Sequence, residues 1–149
     1  MSLESSHPIK LNELYREVIM DHYRSPRNKG ELPEPTVSID LNNPLCGDEI
    51  SLFLQVEDGI VREARFSGQG CSISQASASM MTQAVKGKTV AEAEDMVERF
   101  KQMMHGDEEA GKPLGDALAL HGVSKFPVRI KCALLSWEAL ERSLEQLPD

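Results

Sequence analysis

At 149 residues the chain is long enough for one hydrophobic core, and 40% hydrophobic with 27% charged residues is ordinary globular composition. A formal net charge of −8 repels phosphate backbones and argues against a nucleic-acid partner. No run of about 18 apolar residues occurs, so no membrane-spanning helix is expected. Met1 to Lys10 has neither an apolar nor an Arg-rich targeting pattern, and a cytoplasmic protein is expected.

In chain order, Leu11, Leu14, Tyr15, Val18, Ile19, His22 and Tyr23 recur at helical spacing and predict an amphipathic helix. It should stop at Ser25-Pro26, because the residue before proline disfavours the α region. A loop rich in Pro, Gly and charge follows to Pro35. Val37, Ile39 and Leu41 alternate as a short strand, and Ile50, Leu52, Leu54 and Val56 as a second. Asp58-Gly59 is a hairpin signal, and Ile60 to Phe66 returns as a third strand. Ser67-Gly68-Gln69-Gly70 is read as the end of the sheet.

Ile73, Ala76, Met80, Met81 and Ala84 then predict a helix ending near Gly87. Thr89 and Glu92 form a capping-box pattern for the next, with Val90, Met96, Val97, Phe100, Met103 and Met104 on it. Gly106 to Asp116 reads as a polar loop open to motion, with Asp107-Glu108-Glu109 solvated. Leu114 to Leu120 suits one or two helical turns closed by Gly122. The last helix should start near Pro127, with Ile130, Leu134, Trp137, Leu140 and Leu144 as its core stripe and Cys132 off it. Helix, strands, helices is an α+β order, here a three-stranded antiparallel sheet with helices on one face, in one domain over residues 1–149.

Three cysteines is an odd count that favours reduced thiols. Each lies at an element end or edge. Cys46 stands in Asn43-Pro44-Leu45-Cys46-Gly47-Asp48, a loop where Gly47 lets sulfur and carboxylate turn toward one point; a plain turn with a half-buried Cys reads equally well. Cys71 follows a Gly-rich corner at a helix N-terminus, where backbone N–H groups and the dipole favour a thiolate; it also suits a simple cap in place of Ser. Cys132 has Arg129 one helical turn earlier, a candidate charge partner, with Lys131 about 100° around the wheel. Three thiolates and the Asp48 carboxylate make up the four ligands of a tetrahedral zinc site. The intervals, 25 positions and then 61, match no CxxC pattern, so spacing alone is a weak argument for metal. Of the histidines, His22 reads as a core or boundary residue, and His7, His105 and His121 fall in termini and loop edges.

Five segments together resemble the IscU/NifU N-terminal family of iron–sulfur cluster assembly proteins. They are Leu14 to Tyr23, Asn42-Asn43-Pro44-x-Cys46-Gly47-Asp48, Gly70 to Ser74, Ala78 to Thr82, and Gly122 to Ala133. The resemblance implies a SufE/IscU-like fold and a metal site of Cys46, Asp48, Cys71 and Cys132. Two features are similar to the family's zinc-dependent sulfurtransferase branch. Lys131 stands where the scaffold branch has a ligating His, and residues 106–122 resemble an insertion of the sulfurtransferase branch. Phe126-Pro127-Val128 keeps only part of the scaffold branch's chaperone-recognition motif.

That branch implies a relay. A SufS-type cysteine desulfurase forms a persulfide, and one of its histidines takes a zinc position. Cys46 then accepts the sulfur and passes it to a downstream iron–sulfur scaffold, while Arg129, from its place on the helix, would offset part of the site's charge. The alternative within the family is a scaffold carrying a [2Fe–2S] cluster on the same ligands.

Overall fold

In the computed structural model, residues 8–148 are described, with side chains from Glu13 onward. His7, the Leu11 side chain and residues 1–7 of the segment read for targeting signals lie outside them. The elements are α1 (Pro8–Arg24), β1 (Val37–Asn43), β2 (Asp48–Glu57), β3 (Ile60–Gln69), α2 (Ser72–Val85), α3 (Val90–Met104), α4 (Glu108–Gly111), a 3-10 segment (Lys112–Lys125) and α5 (Pro127–Glu145). The strands form one antiparallel sheet in the order β1-β2-β3. Among the described residues, no helix is long and apolar enough to cross a membrane.

Alternation sets the sheet's two faces. Ile50, Leu52 and Leu54 of β2 and Val61, Ala64 and Phe66 of β3 are buried against helices, with α5 over β1 and β2 and α2 over β3. The β2 alternation extends one step beyond the expected strand. Asp48 is in phase with Ile50, so pairing with Asn43 turns its carboxylate toward the core.

Strand β3 does not stop at Phe66 as expected. Ser67, Gly68 and Gln69 continue to pair with Ser51, Ile50 and Glu49. Gly68 makes this possible: its φ of +127° suits only glycine, and a Cβ there would collide with the Glu49 carbonyl. The loop after α1 then covers the open edge of β3, where Gly30 N–H donates to the Phe66 carbonyl (2.7 Å) and Phe66 N–H donates to that of Asn28 (3.1 Å).

The capping box of α3 forms as expected, with Glu92 N–H donating to Thr89 Oγ1 (3.1 Å) and Thr89 N–H to Glu92 Oε1 (2.9 Å). Helix α1 is narrower in its buried face than the periodicity suggests. Tyr15, Val18, Ile19 and His22 face α2 and the 3-10 segment, whereas Leu14 and Tyr23 are exposed.

Residues 106–116 depart most from expectation, whereas Leu114 to Leu120 is helical and Asp107 to Glu109 exposed, as expected. The segment is folded into the core: Asp107 caps α4, and Ala110, Gly111, Leu114, Ala117, Ala119 and Leu120 are buried. Gly111 packs so closely that a Cβ would strike Met103 Sδ, and Gly115 (φ 64°) breaks the helical path. The segment is pinned by a polar contact. His22, fully buried, pairs its Nδ1 with Ser79 Oγ (2.7 Å) and its Nε2 with Asp116 Oδ2 (2.8 Å), while Gln83 Nε2 also donates to Asp116 (3.2 Å).

Helix α5 is buried over most of its circumference because it touches the sheet, α2, α3 and the 3-10 segment. Trp137 stacks on Phe100 with ring centroids 4.5 Å apart and planes 9° from parallel. Trp137 Nε1–H donates to Ser77 Oγ (3.1 Å), which donates onward to the Ala133 carbonyl (2.6 Å). Trp137, Leu140 and Leu144 of the expected stripe are buried, but the buried face is wider than that stripe. Ile130 and Leu134 are only half-buried, and Cys132, expected off the stripe, is 4% exposed.

Replacing Asp116 by Ala should destabilise the protein by about 2 kcal/mol, the scale of two lost hydrogen bonds, one of which leaves buried His22 Nε2 without its partner, read by chemical denaturation. The sign with pH is also set. The His22 hydrogen bond holds the Asp116 carboxyl below its ordinary value. Its contribution is therefore complete above the unfolded value near pH 4 and lost as pH falls through the folded one. The variant should lose correspondingly less stability on acidification.

Candidate metal centre

The β1–β2 hairpin tip is held by Asn43. Its carbonyl accepts the N–H groups of Cys46 (3.1 Å) and Gly47 (2.9 Å), and its Oδ1 accepts that of Leu45 (3.1 Å). Its Nδ2–H donates to Cys46 Sγ (3.4 Å). Gly47, at φ +69°, supplies the left-handed residue that closes the turn onto Asp48. Asn43 had no role in the sequence reading, although an Asn opening a tight turn is a recognisable Asx signal.

Asp48 has no exposed surface. Its Oδ1 accepts the Cys71 N–H (2.9 Å), and Oδ2 lies 3.8 Å from Cys71 Sγ. No ion pair joins it to a basic group among the described residues. A buried carboxylate without a counter-cation is costly unless a cation is supplied.

Cys71 is the N-cap of α2. Ser74 N–H donates to its sulfur (3.5 Å), and the residue is exposed. Gly70 leaves the room that this corner needs. A Cβ there would collide with Asp48 Oδ1 and come within 2.7 Å of Ser74 Oγ.

Cys132 comes from the buried side of α5. Its sulfur lies 2.9 Å from that of Cys46, longer than the roughly 2.05 Å of a disulfide, and all three cysteines are free. Burial pushes the Cys132 thiol up, and its neighbours Cys46, Cys71 and Asp48 push the same way. A buried thiol that resists ionisation is what a divalent cation relieves.

One ligand atom from each of Cys46, Asp48 and Cys132 lies within 4.8 Å of the others, a group that can hold a metal ion. Cys71 stands at its rim, against Asp48. Thiolate sulfur and carboxylate oxygen are zinc donors, and the same set suits an iron–sulfur cluster. Arg129 is not part of the cluster. It is exposed, with no ion pair to a described residue, because Cys132 turns inward while the first turn of α5 faces water. Lys131 is also exposed, in a groove beside Asn42 to Pro44. His105 caps α3 through the Lys101 carbonyl (2.8 Å), and His121 Nε2 lies 3.4 Å from the Gly106 carbonyl; neither belongs to this centre.

Residues 14–145 match the NifU-like N-terminal domain. The chain belongs to this family. It is 57% identical over 90% of its length to the zinc-dependent sulfurtransferase SufU of Bacillus subtilis, and covers 91% of that protein. It is 45% identical over 92% of its length to the iron–sulfur cluster assembly scaffold protein IscU of Streptococcus pyogenes, covering 86% of it. A crystal structure from Fervidobacterium islandicum, assigned provisionally as the scaffold protein of a SUF system, superposes with a TM-score of 0.78 at 34% identity, over 86% of this chain and 94% of that one. The three-stranded sheet with its helices is thus the family's fold, and the family's members are named both as sulfurtransferases and as scaffolds.

Gly70→Ala should push Asp48 off its position and weaken metal binding about 10- to 100-fold, the usual effect of disturbing the support of a ligand. Competition against a chromophoric chelator measures it, with circular dichroism as the check on folding.

Proposed function

We propose that the chain is a zinc-dependent sulfur acceptor for a SufS-type cysteine desulfurase in iron–sulfur cluster assembly. The observation that carries the reading is the convergence of Cys46, Asp48 and Cys132, with Cys71 at the rim, around a buried carboxylate lacking a counter-cation. The 57% identity to a protein named a zinc-dependent sulfurtransferase favours this branch. Zinc, when bound, keeps thiols ionised at neutral pH without redox chemistry of its own. Cys46, Asp48, Cys71 and Cys132 would hold it, and three reduced thiols suit a cytoplasmic setting.

Cys46 is the acceptor. It is half-buried on a hairpin tip and tethered by Asn43, whereas Cys132 is locked in α5 and Cys71 caps α2. Its thiolate attacks the outer sulfur of the donor's persulfide. A new S–S bond forms at Cys46, the donor's S–S bond breaks, and the donor leaves as a thiolate. The sulfur moves without net oxidation or reduction. Arg129, one turn from Cys132, is free to meet the charge of the incoming persulfide, and the sulfur then passes to a downstream scaffold.

The 45% identity to a protein named a scaffold supports a second reading, in which the same ligands carry a [2Fe–2S] cluster. Lys131, which cannot ligate while protonated, weighs against it.

Purified protein should contain about one zinc per chain and stimulate the desulfurase. Cys46→Ala should abolish sulfur acceptance, followed by trapping the persulfide with an alkylating agent and mass spectrometry. Arg129→Ala should slow acceptance while leaving zinc content unchanged. Full stimulation by Cys46→Ala would overturn the acceptor role. A stable cluster after anaerobic reconstitution, transferable to an apo-protein, would favour the scaffold.

A further inference from the structure

Few buried side-chain polar atoms lack a hydrogen-bond partner among the described residues. They are the Ser136 hydroxyl, both amide atoms of Gln75, and Glu63 Oε1. Glu63 Oε1 lies 3.4 Å from Lys86 Nζ, so a cation compensates it. The two residues that remain stand at the same place relative to a cysteine. Gln75 is four positions after Cys71 on α2, and Ser136 is four positions after Cys132 on α5. An unpaired buried polar group is costly, and its presence calls for a water, an ion or a role in function.

Ser136 is the sharper case, because its cysteine is buried with it. Ser136 is 1% exposed and Cys132 4%, so both face the interior from one side of α5. Helical side chains lean toward the N-terminus, which directs a residue at i+4 back over the one at i. The usual outlet for a serine inside a helix is the carbonyl four residues back. Ser143, two turns further along the same face, takes it and donates to the Ala139 carbonyl (2.8 Å). Ser136 does not take the Cys132 carbonyl. The buried hydroxyls of α2 are all engaged. Ser74 and Thr82 donate to carbonyls one turn back, Ser77 donates to the Ala133 carbonyl, and Ser79 meets His22. Ser136 is therefore the one uncommitted hydroxyl of the described core, and it leans toward a metal ligand.

The Cys132 thiol is placed as a donor here, 2.9 Å from Cys46 Sγ and 3.6 Å from the Val128 carbonyl. A metal-bound sulfur carries no proton and only accepts. We infer that Ser136 is a positioning residue of the metal centre, its hydroxyl donating to the Cys132 sulfur when that sulfur is bound to metal. The inference rests on the reading of Cys46, Asp48, Cys71 and Cys132 as metal ligands and adds the group that holds one of them. A hydrogen bond to a metal-bound thiolate orients it and draws charge from the sulfur. Cys132 is thereby kept as a ligand and made the poorer nucleophile, which leaves sulfur acceptance to Cys46. A trapped water beside Ser136 is the competing account, and it would not act on the sulfur.

The test compares Ser136→Ala with Ser143→Ala, which removes a buried hydroxyl already bonded to a carbonyl. Zinc affinity is read by competition against a chromophoric chelator. Absorption of the cobalt(II)-loaded protein reads the thiolate-to-metal charge-transfer band. Ser136→Ala should weaken zinc binding about tenfold and move the band to longer wavelength, because a sulfur relieved of a hydrogen bond gives up charge more readily. Ser143→Ala should leave affinity and band as in the unaltered protein, and circular dichroism should show both variants folded. An unmoved band in Ser136→Ala would overturn the inference whatever the affinity, since lost packing or a lost water changes binding without touching the sulfur. A band moved equally by Ser143→Ala would overturn it as well, as an effect of a displaced α5. Failure of the unaltered protein to bind zinc or cobalt would instead remove the metal-centre reading itself.

Discussion

Asp48 begins β2, and the two-residue period of the strand turns it to the same side as Ile50, Leu52 and Leu54. A carboxylate delivered to a hydrophobic core needs compensation, and here the Cys71 N–H supplies part of it, beside thiols that could share a metal ion with the carboxylate. The rest of the architecture serves that placement. The hairpin tip brings Cys46 beside it, the glycine corner before α2 brings Cys71, and α5, pressed onto β1 and β2, brings Cys132 from the opposite layer. Remove the sheet register and the donors separate, because no two of them lie on the same element.

The three sulfurs are not equivalent. Cys132 is buried in the central helix, Cys46 is half-buried on a short turn, and Cys71 is exposed at a helix end. The hairpin tip is held by its Asn43 hydrogen bonds and by the contact of Cys46 with Cys132. This asymmetry sets Cys46, on its short turn, apart from the two helix-borne thiols.

The segment between α3 and α5 shows how stability and function are separated in this fold. Its buried Leu114, Ala117 and Leu120 extend the core, and Asp116 locks it to His22 and thence to Ser79 on α2. The segment thereby braces α1 and α2 on the side away from the sheet. The apolar and basic residues of the α5 start stay unused by the fold.

Much of this was legible without coordinates. Period-two alternation disclosed three strands, Asp58-Gly59 their hairpin, Thr89 with Glu92 a helix start, and the Cys-Gly-Asp and Gly-Cys segments the family. Those signals are local, written within a few residues by turn chemistry and side-chain phase. What tertiary structure decided was which faces are covered. A helical stripe can be read only if one side of a helix meets the core. Helix α5 is enclosed on several sides, so Cys132 proved buried and Arg129 outward. The polar composition of residues 106–116 suggested a loose loop, but His22, 94 positions away, and the packing of Met103 against Gly111 hold it in place. The meeting of Cys46 with Cys132, 86 residues apart, is likewise a property of packed layers: sequence supplies the donors, and only the stacking of α5 on the sheet gives them a common centre.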